Sequence, residues 1–373
     1  MKRPDTVLVT GVAGDLGVQL VPLLRASGHL VVGVDLKPAP AEMELIGFHQ
    51  LDLGREPSCD ELIEIIHDMG VRSVIHLAFV LDPRKSGVLD RERMYHINVG
   101  GTARVIEAVT EANRDDSHVR QFIHMSSVAA YGPRLPLYAP ETHPLDGGGL
   151  LYAEHKREAD LAVQRRAGSF GSRCSTVILR PQIFAGPSVH NYMIDALRGE
   201  PSQTGKLGRK LRARGKRLPV LVGLGAQGRQ RRFQFAHVDD VARLIAFLAG
   251  HPGPEGEIEL FNVAARGEAL SVDECCRITG TRSLRLPDES LIRLALEIAW
   301  KQGASDMPPD ALPYVLGEYT LSTQWLQERL GTDYGSVIQF TNEQALRSAM
   351  GEVAKSGSGA SIKTGNAEGV GRP

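Results

Sequence analysis

A tyrosine and a lysine stand four residues apart in the segment YAEHK, which covers residues 152–156. Side chains at positions i and i+4 of a helix lie on one face, so Tyr152 and Lys156 would be neighbours. A phenol titrates at about pH 10, and a nearby ammonium group stabilises its phenolate, so such a pair could carry acid–base chemistry. The same spacing also occurs on many exposed helix faces. The rest of the chain has to decide between the two interpretations.

Three glycines in the segment TGVAGDLG lie between a β-branched run and a helical pattern. Gly11, Gly14 and Gly17 would permit a tight turn there and let a pyrophosphate approach the N–H groups at the helix N-terminus. A turn needed only for packing the strand on the helix could hold the same glycines. The strand before them and the helix after them favour a dinucleotide site.

An acidic residue follows the glycines at the end of the second predicted strand. Asp35 could accept hydrogen bonds from the adenosine ribose hydroxyls and would repel a 2′-phosphate, which favours NAD over NADP. Lys37 leaves NADP open as an alternative. Asp52, in the segment QLDLG, could hold the adenine region or serve as a loop or cap residue.

The first 185 residues alternate short β-branched runs with helical apolar spacing. The predicted strands are TVLVTG (6–11), LVVGVD (30–35), SVIHLA (73–78), QFIHMSS (121–127) and STVILR (175–180). This alternation predicts an α/β fold of the Rossmann type, with a doubly wound parallel sheet. After residue 186 the alternation of strand and helix patterns stops. It returns in FQFAHVDDVARLIAFLAG, where Asp239 or Asp240 is predicted to cap a helix, and in IELFNVA.

Three later segments have recognisable patterns. Ser271 and Glu274 form a capping-box sequence, which predicts a helix start. Residues 289–303 are amphipathic and are predicted to form a lid or core helix. Residues 351–373 have no periodicity and little to bury, and are predicted to be a disordered tail.

The composition and residue spacing indicate in which compartment the protein works and whether it binds a metal. The chain has 373 residues, and its four cysteines show neither C-x-x-C spacing nor a disulfide framework, which favours a reducing compartment. A strand pattern begins near the N-terminus and leaves no room for a signal peptide, and no apolar run reaches the roughly 18 residues of a membrane span. We expect a cytoplasmic protein with no stable membrane insertion. No His, Cys or Asp cluster has metal-ligand spacing, so no metal is predicted.

The net charge of −1 conceals a basic region. No acidic residue lies between Glu200 and Asp239, and the run KLGRKLRARGKR (206–217) holds seven Lys or Arg residues. Such a run is usually a solvated loop; alternatively it provides a positive rim for an anionic substrate or a membrane surface. Nucleic acid is not expected, because the run lacks interleaved aromatic residues and a recognisable binding module.

Taken together, these motifs resemble the extended short-chain dehydrogenase/reductase family, also called the NAD-dependent epimerase/dehydratase family. The resemblance covers about residues 5 to 265. It is carried by TGVAGDLG, Asp35, HLA (76–78), NVGGT (98–102), SSVAAYG (126–132), YAEHK, LRPQIFAGP (179–187) and HVDDVA (237–242). It implies an NAD-binding Rossmann domain over 1–185, to which 233–265 return. Residues 186–232 and 266–350 would form a smaller C-terminal substrate-binding domain.

The resemblance also assigns roles to individual residues. Tyr152 would be the acid/base, Lys156 would lower its pKa and bind the nicotinamide ribose, and Ser127 would hydrogen-bond the substrate oxygen. Asn98 would hold the start of its helix and the region of the lysine, although an N-cap role would explain it equally well. Ser126 is expected to be a structural residue, and so is His237. The positions matched to cofactor binding are Gly11, Gly14, Asp15, Leu16, Gly17, Asp35, Asp52, Leu53, Leu77, Ala78, Asn98, Tyr152, Lys156, Pro181 and Ile183.

Departures from the family pattern reduce the number of reactions and substrates that are expected. Val128 and Ala129 stand where sugar-nucleotide dehydratases carry an Asp-Glu pair, so dehydration is not expected. Ile183 and Phe233 stand where nucleotide-sugar epimerases usually carry Asn and Arg, which argues for a less polar substrate or for one that is bound differently. Arg231 and Arg232 lie next to that register, and with the basic run they keep a phosphate-bearing substrate possible.

Three functions compete on this basis. The first is an NAD-dependent oxidoreductase that acts on a secondary alcohol or ketone, and the second is an NAD-dependent epimerase of a nucleotide sugar. The third, a non-catalytic dinucleotide sensor, fits less well because the chain keeps Ser127, Tyr152 and Lys156 together. The partner is expected to be a small-molecule substrate. By family analogy, helices over 99–113 and 152–167 would pair in a homodimer.

Overall fold

The computed structural model describes residues 5–81, 87, 88, 90–114, 118–224 and 231–351. The predicted tail at 351–373 lies outside these residues except for Gly351. No helix in the described ranges is long and apolar enough to cross a membrane.

A seven-stranded parallel sheet forms the centre of the molecule. Its strands are β1 (Thr6–Thr10), β2 (Leu30–Asp35), β3 (Gly47–Gln50), β4 (Val71–His76), β5 (Gln121–Met125), β6 (Ser175–Pro181) and β11 (Ile258–Val263). They lie in the order β11-β6-β5-β4-β1-β2-β3, and all of them pair in parallel. The inner strands are almost continuously buried because helices cover both faces, so residues on both sides of each strand are mostly withdrawn from water. The predicted fold class is confirmed.

Two hydrophobic clusters lie on opposite faces of this sheet. One contains the apolar sides of α1 (Asp15–Ala26) and α8 (Val238–Gly250). The other contains those of α2 (Ser58–Asp68), α4 (Gly101–Ala112) and α5 (Leu151–Arg166). Since every strand of the sheet is parallel, the loops after β1, β2, β4, β5 and β6 meet at one edge, where ligands bind in folds of this kind.

A third cluster holds together most of the remaining elements, which lie largely after residue 182. Three small sheets belong here: β7 (Ile183–Ala185) with β10 (Phe235–His237), β8 (Val220–Gly223) with β13 (Ser283–Leu286), and β9 (Arg232–Phe233) with β12 (Leu270–Ser271). The remaining helices are α3 (Arg91–Tyr95), α6 (Tyr192–Leu197), α7 (Lys206–Ala213), α9 (Val272–Thr279), α10 (Glu289–Lys301), α11 (Leu312–Leu316), α12 (Gln324–Leu330), α13 (Tyr334–Val337) and α14 (Asn342–Ala349). Of these, α12 and α13 pack in the cluster of α1 and α8, and α3 does not contribute to the third cluster. The division into two domains stays a prediction.

Helix starts test three sequence predictions. The capping box of Ser271 and Glu274 is present at the start of α9. The predicted cap of α8 by Asp239 or Asp240 is wrong, because His237 is the N-cap and its Nδ1 accepts a hydrogen bond from the Asp239 N–H. Asn98 is not an N-cap either. It lies inside a π-helical turn, His96–Gly100, that runs directly into α4.

The basic run does not form the loop that was expected. Its first eight residues are helix α7, and the buried Gly208 and the partly buried Leu207 and Leu211 turn toward the protein. Three exposed basic residues lie within α7 and three lie after it, and Arg212 is half-buried. The expectation of a solvated loop is therefore wrong for this part of the chain.

Candidate functional site

The glycine loop after β1 is held tightly against the protein at two of its three glycines. Gly11 has φ +74°, and a Cβ there would lie 2.6 Å from the backbone nitrogen of Ala78. A Cβ at Gly17 would lie 2.3 Å from the carbonyl oxygen of Val12. These two glycines are required by the turn and by strand–helix packing, as the structural interpretation predicted.

Gly14 differs from the other two glycines. Its φ of −78° and ψ of 166° suit any residue, and a Cβ there would have one close neighbour, the Gly11 carbonyl oxygen at 3.3 Å. Gly14 is exposed, lines a cavity and holds the N-cap position of α1 without offering a side chain to the first N–H groups. The space where its side chain would stand is thus suited to a phosphate group, and the loop fits a dinucleotide.

Asp35 is bound to this loop. Its Oδ2 accepts a hydrogen bond from the Ala13 N–H at 2.9 Å, and its Oδ1 accepts one from the Lys37 N–H at 2.9 Å. Each carboxylate oxygen retains acceptor capacity at the end of β2, where the ribose hydroxyls would bind.

Two predicted cofactor residues have other partners in the structure. The Asp52 carboxylate accepts hydrogen bonds from the Gly54 N–H and from the Arg93 guanidinium. This arrangement agrees with the loop interpretation of Asp52. Leu53 is 5% exposed and packs in the hydrophobic cluster beneath α2 and α4. Neither residue lines the cavity described below.

Helix α5 carries the predicted acid–base pair. A glycine turn precedes it, and the Gly149 N–H donates to Glu154 Oε1 at 2.9 Å, which fixes the first turn. Tyr152 and Lys156 then face the carboxyl end of β5, where Ser127 forms a hydrogen bond with the phenol. Lys156 is 3% exposed, donates to the Met125 carbonyl at 2.6 Å and lies 3.6 Å from the centre of the Phe79 ring.

The protein groups around Tyr152 raise its pKa, whereas the predicted lowering relies on Lys156 and the charge of bound nicotinamide together. Burial raises the pKa of Tyr152 to about 12, and the hydrogen bond with Ser127 opposes this rise. Burial also lowers the pKa of Lys156 to about 7, although Asp160 acts in the other direction. Both shifts have one cause: a poorly hydrated site disfavours the charged form of each group, the phenolate and the ammonium. The protein groups by themselves therefore hold Tyr152 as a neutral phenol.

A buried ion pair fixes the surroundings of Lys156. The Arg180 guanidinium donates to both oxygens of Asp160, at 2.9 and 3.0 Å, and both side chains are almost fully buried. Ser126 donates to the same carboxylate at 2.5 Å, in agreement with its predicted structural role. Arg180 also donates to the Tyr131 hydroxyl at 2.9 Å. This network joins α5, β5 and β6 and so positions the catalytic candidates.

Asn98 connects the loop after β4 to α5. Its side-chain amide pairs with the backbone of Val80, accepting from the N–H at 2.7 Å and donating to the carbonyl at 3.0 Å. It also lies 3.3 Å from Nδ1 of His155, the residue before Lys156. Asn98 is fully buried, so it positions this region from behind.

A cavity of about 260 Å³ brings most of the predicted residues together. Its lining includes both the glycine loop and the acid–base pair, which lie far apart in sequence. The predicted residues that line it are Gly11, Gly14, Asp15, Leu16, Gly17, Leu77, Ser127, Tyr152, Lys156, Pro181 and Ile183. Asp35, Asp52, Leu53, Ala78 and Asn98 do not line it.

Sequence reasoning missed several lining residues. Phe79 contacts both Lys156 and Tyr152, with its ring centre 5.8 Å from that of Tyr152. It directly follows the HLA segment, a position that could have identified it. Tyr314 and Tyr319 come from the C-terminal part and had no local signal. Asp160 does not line the cavity but belongs to the network around Lys156. It could have been predicted from the sequence, because it lies one helical turn after Lys156.

His237 has the structural role that was expected. It is 1% exposed, stacks on Phe340 with ring centres 3.6 Å apart, and its Nε2 lies 2.9 Å from the Ser348 hydroxyl. It joins α8 to the C-terminal helix α14.

One group of possible metal ligands occurs among the described residues, although the sequence spacing showed none. His190, Asp195 and Glu200 have ligand atoms within 4.8 Å of one another. Arg198 lies 3.6 Å from the Asp195 carboxylate, and Arg212 lies 2.8 Å from that of Glu200. Guanidinium groups already balance these carboxylates, so the group carries no metal assignment. The predicted absence of a metal stays a prediction.

The chain matches the model of a protein family described as the NAD dependent epimerase/dehydratase family over residues 7–264. A UDP-glucose 4-epimerase of Schizosaccharomyces pombe is 32% identical over 156 residues, which is 38% of this chain and 41% of that protein. A 3 beta-hydroxysteroid dehydrogenase/Delta 5-->4-isomerase of Mycobacterium tuberculosis is 30% identical over 184 residues, 47% of this chain and 46% of that protein. The chain thus spans less than half the length of either relative.

Solved structures share the fold at lower identity. MoeE5 in complex with UDP-glucuronic acid and NAD superposes with a TM-score of 0.62 at 23% identity, covering 93% of this chain and 98% of that one. The UDP-glucose 4-epimerase of Thermus thermophilus in complex with NAD gives a TM-score of 0.60 at 19% identity, with 93% and 98% covered.

Proposed function

Because the chain belongs to the NAD dependent epimerase/dehydratase family and is an NAD-dependent enzyme, we propose that it oxidises or reduces one carbon of a secondary alcohol or ketone whose remaining part is largely apolar. The observation that carries this proposal is the composition of the cavity around Tyr152. A dehydrogenase or ketone reductase of this kind uses the residues predicted from the sequence.

The three polar groups beside the cavity have complementary roles. Bound NAD would supply or accept the hydride. Tyr152 gives a proton to the substrate oxygen during reduction, and burial keeps it a neutral phenol that carries this proton at physiological pH. Ser127 hydrogen-bonds the same oxygen and orients it. Lys156 holds the cofactor ribose, and with a pKa of about 7 its amine is mostly charged below that pH and mostly neutral above it.

The cavity lining is mostly apolar. Polar groups are also contributed to it by Asn191, Tyr192, Tyr314 and Tyr319. Among the described residues that line it, Lys156 is the single lysine or arginine. Ile183 takes the place of a polar family residue, and Phe233 is buried in the hydrophobic cluster. Arg231 does not line this cavity and lies 3.6 Å from Glu289. A nucleotide diphosphate would need cationic partners here, whereas an apolar substrate would not.

A second cavity supports the same substrate class. It has about 150 Å³, shares Tyr192 with the first and has mostly apolar walls. Ile292 and Leu296 of α10 form one wall, and Val220 and Leu221 form another. A cavity of roughly 150 Å³ lined by aliphatic residues is large enough for benzene. The apolar part of a substrate could extend into it from the catalytic cavity.

Epimerisation of a nucleotide sugar is the second candidate. It is favoured by the family model and by the epimerase among the sequence relatives. Ser127, Tyr152 and Lys156 would serve both reactions. The two functions differ in whether reduced cofactor leaves the enzyme.

The test begins with the nucleotide that the purified protein carries, identified by mass spectrometry. The protein is then incubated with NAD and a panel of apolar secondary alcohols, and separately with UDP-sugars, while NADH formation and sugar products are measured. NADH release with an apolar alcohol supports the proposal. Tightly held NAD with epimerised sugar and no NADH release would replace it by the second candidate.

Tyr152→Phe provides the residue-level test. Removal of the one phenol oxygen is expected to lower kcat about 10²- to 10⁴-fold, the usual range for loss of a general acid/base, with NAD affinity nearly unchanged. The matched control is Tyr138→Phe, which removes a hydroxyl that contacts Glu268 at 3.1 Å, away from the cavity. Equal turnover of the two variants would show that Tyr152 is not the acid/base.

A further inference from the structure

The basic run is an exposed surface whose charge is largely unpaired. We define the basic segment as residues 206–217, which form α7 and the turn after it. Lys206, Lys210 and Lys216 are all exposed. Among the described residues, the basic segment makes one ion pair, between Arg212 and Glu200 at 2.8 Å. The proposed reaction makes no use of these charges.

An apolar surface lies on helix α10. Leu291, Leu294 and Ile298 are 41%, 52% and 47% exposed, and their spacing places them along one side of the helix. We call these three residues the apolar stripe. The other side of α10 is packed, with Ile292 and Leu296 almost fully buried. The apolar stripe is thus partly exposed to solvent, on the side of α10 that does not face the core.

The two surfaces are adjacent. The Gly208 N–H in α7 donates to the carbonyl of Gly303, just after α10, at 2.8 Å. The chain after the basic segment then returns along α10: residues 218–221 and the inner side of α10 line the same 150 Å³ cavity. Glu289, Arg293, Glu297 and Lys301 on α10 carry two charges of each sign, so α10 does not neutralise the basic segment.

We propose that the basic segment and the apolar stripe together dock the protein on the surface of an anionic lipid bilayer. Basic residues are attracted to anionic headgroups, and half-exposed leucine and isoleucine side chains can enter the interface between headgroups and acyl chains. Nucleic acid would satisfy the charges but would leave the apolar stripe in water. A second copy of the chain would cover the stripe but would bring two basic segments close together, where they repel.

Co-sedimentation with vesicles tests this proposal on the full-length protein. The expected result is binding to vesicles of phosphatidylcholine mixed with phosphatidylserine, weak binding to phosphatidylcholine alone, and a decrease with added salt. The variant Lys206→Gln/Lys210→Gln/Lys216→Gln should bind about 100-fold more weakly, because each basic residue near an anionic surface contributes about fivefold. Leu294→Gln/Ile298→Gln should lose about 25-fold.

A matched control separates local charge from net charge. The variant Arg55→Gln/Arg165→Gln/Arg173→Gln removes three exposed positive charges elsewhere on the surface. It should bind vesicles like the unmodified protein. Equal losses in the control and in the lysine variant would overturn the proposal, as would no vesicle binding at all. Binding to duplex DNA without binding to vesicles, or a stripe variant that changes only the oligomeric state, would also overturn it.

Discussion

Lys156 has a property that can be measured without knowledge of the substrate. Its ammonium group is 3% exposed and has two close neighbours in the structure, the Met125 carbonyl at 2.6 Å and the Phe79 ring at 3.6 Å. Burial lowers the pKa of Lys156 from 10.5 to about 7. The unfolded chain would keep the ordinary pKa, so folding and protonation of Lys156 are linked.

The sign of this linkage follows from the two pKa values. Between about pH 7 and 10.5 the unfolded chain holds one more proton than the folded protein, so the free energy of unfolding rises with pH. Over the whole interval the gain is about 5 kcal/mol, at about 1.4 kcal/mol per pKa unit. Between about pH 6 and about pH 8.5 it amounts to about 2 kcal/mol. Below about pH 7 both the folded and the unfolded chain hold the proton, so the free energy of unfolding no longer changes with pH through Lys156.

The assay compares urea unfolding of the unmodified protein and Lys156→Met, both freed of bound nucleotide, across that pH range. Lys156→Met should lack the increase of about 2 kcal/mol, because methionine cannot titrate. Burial is the largest cause that lowers the pKa values of the buried His76 and His124 in both proteins, and Lys156 lowers them further. The difference between the two proteins therefore includes this coupling to the histidines as well as the titration of Lys156 itself. Lys206→Met, at an exposed position, is the control and should follow the unmodified protein.

Parallel curves for the unmodified protein and Lys156→Met would refute the reasoning. They would mean that Lys156 keeps its ordinary pKa in the folded protein, through water or a partner that stabilises its charge. The argument that a poorly hydrated cavity shifts both members of the acid–base pair would then fail as well.

Three further substitutions test the site. Gly14→Val should lower NAD affinity about tenfold or more, measured by calorimetry, while unfolding changes little, because φ −78° suits valine; unchanged affinity would place the phosphates elsewhere. Asp35→Ala should weaken NAD binding about tenfold to a hundredfold and reduce the preference over NADP, and an unchanged NAD/NADP ratio would show that Asp35 does not contact the ribose. Asp160→Asn should cost about 3–5 kcal/mol of unfolding free energy in denaturant titrations, because it leaves the buried Arg180 charge without its partner; a loss below about 1 kcal/mol would contradict the role of this pair.

The homodimer stays a prediction. The apolar side chains of α4 and α5 on which it was based are largely buried within the chain, and no exposed large hydrophobic residue lies in 101–112 or 151–166, both of which the structure describes in full. Half-buried Leu151 and Leu161 of α5 are the larger apolar side chains left accessible to a partner. Equilibrium sedimentation tests whether the protein pairs.

The sequence determined the features that depend on local pattern. Buried β-branched runs alternating with amphipathic helices define the parallel sheet, because neither face of such a sheet meets water. The three glycines, Asp35 and the Tyr152–Lys156 pair were recognisable because a tight turn, a strand end and one helical turn are each set by neighbours in sequence.

Only the tertiary structure decided how these residues are surrounded. It placed Tyr314 and Tyr319, which are distant in sequence, in the wall of the candidate cavity, and it paired Asp52 with Arg93. It also determined that the protein by itself raises the pKa of Tyr152, because desolvation depends on every atom that packs around a group and not on its neighbours along the chain.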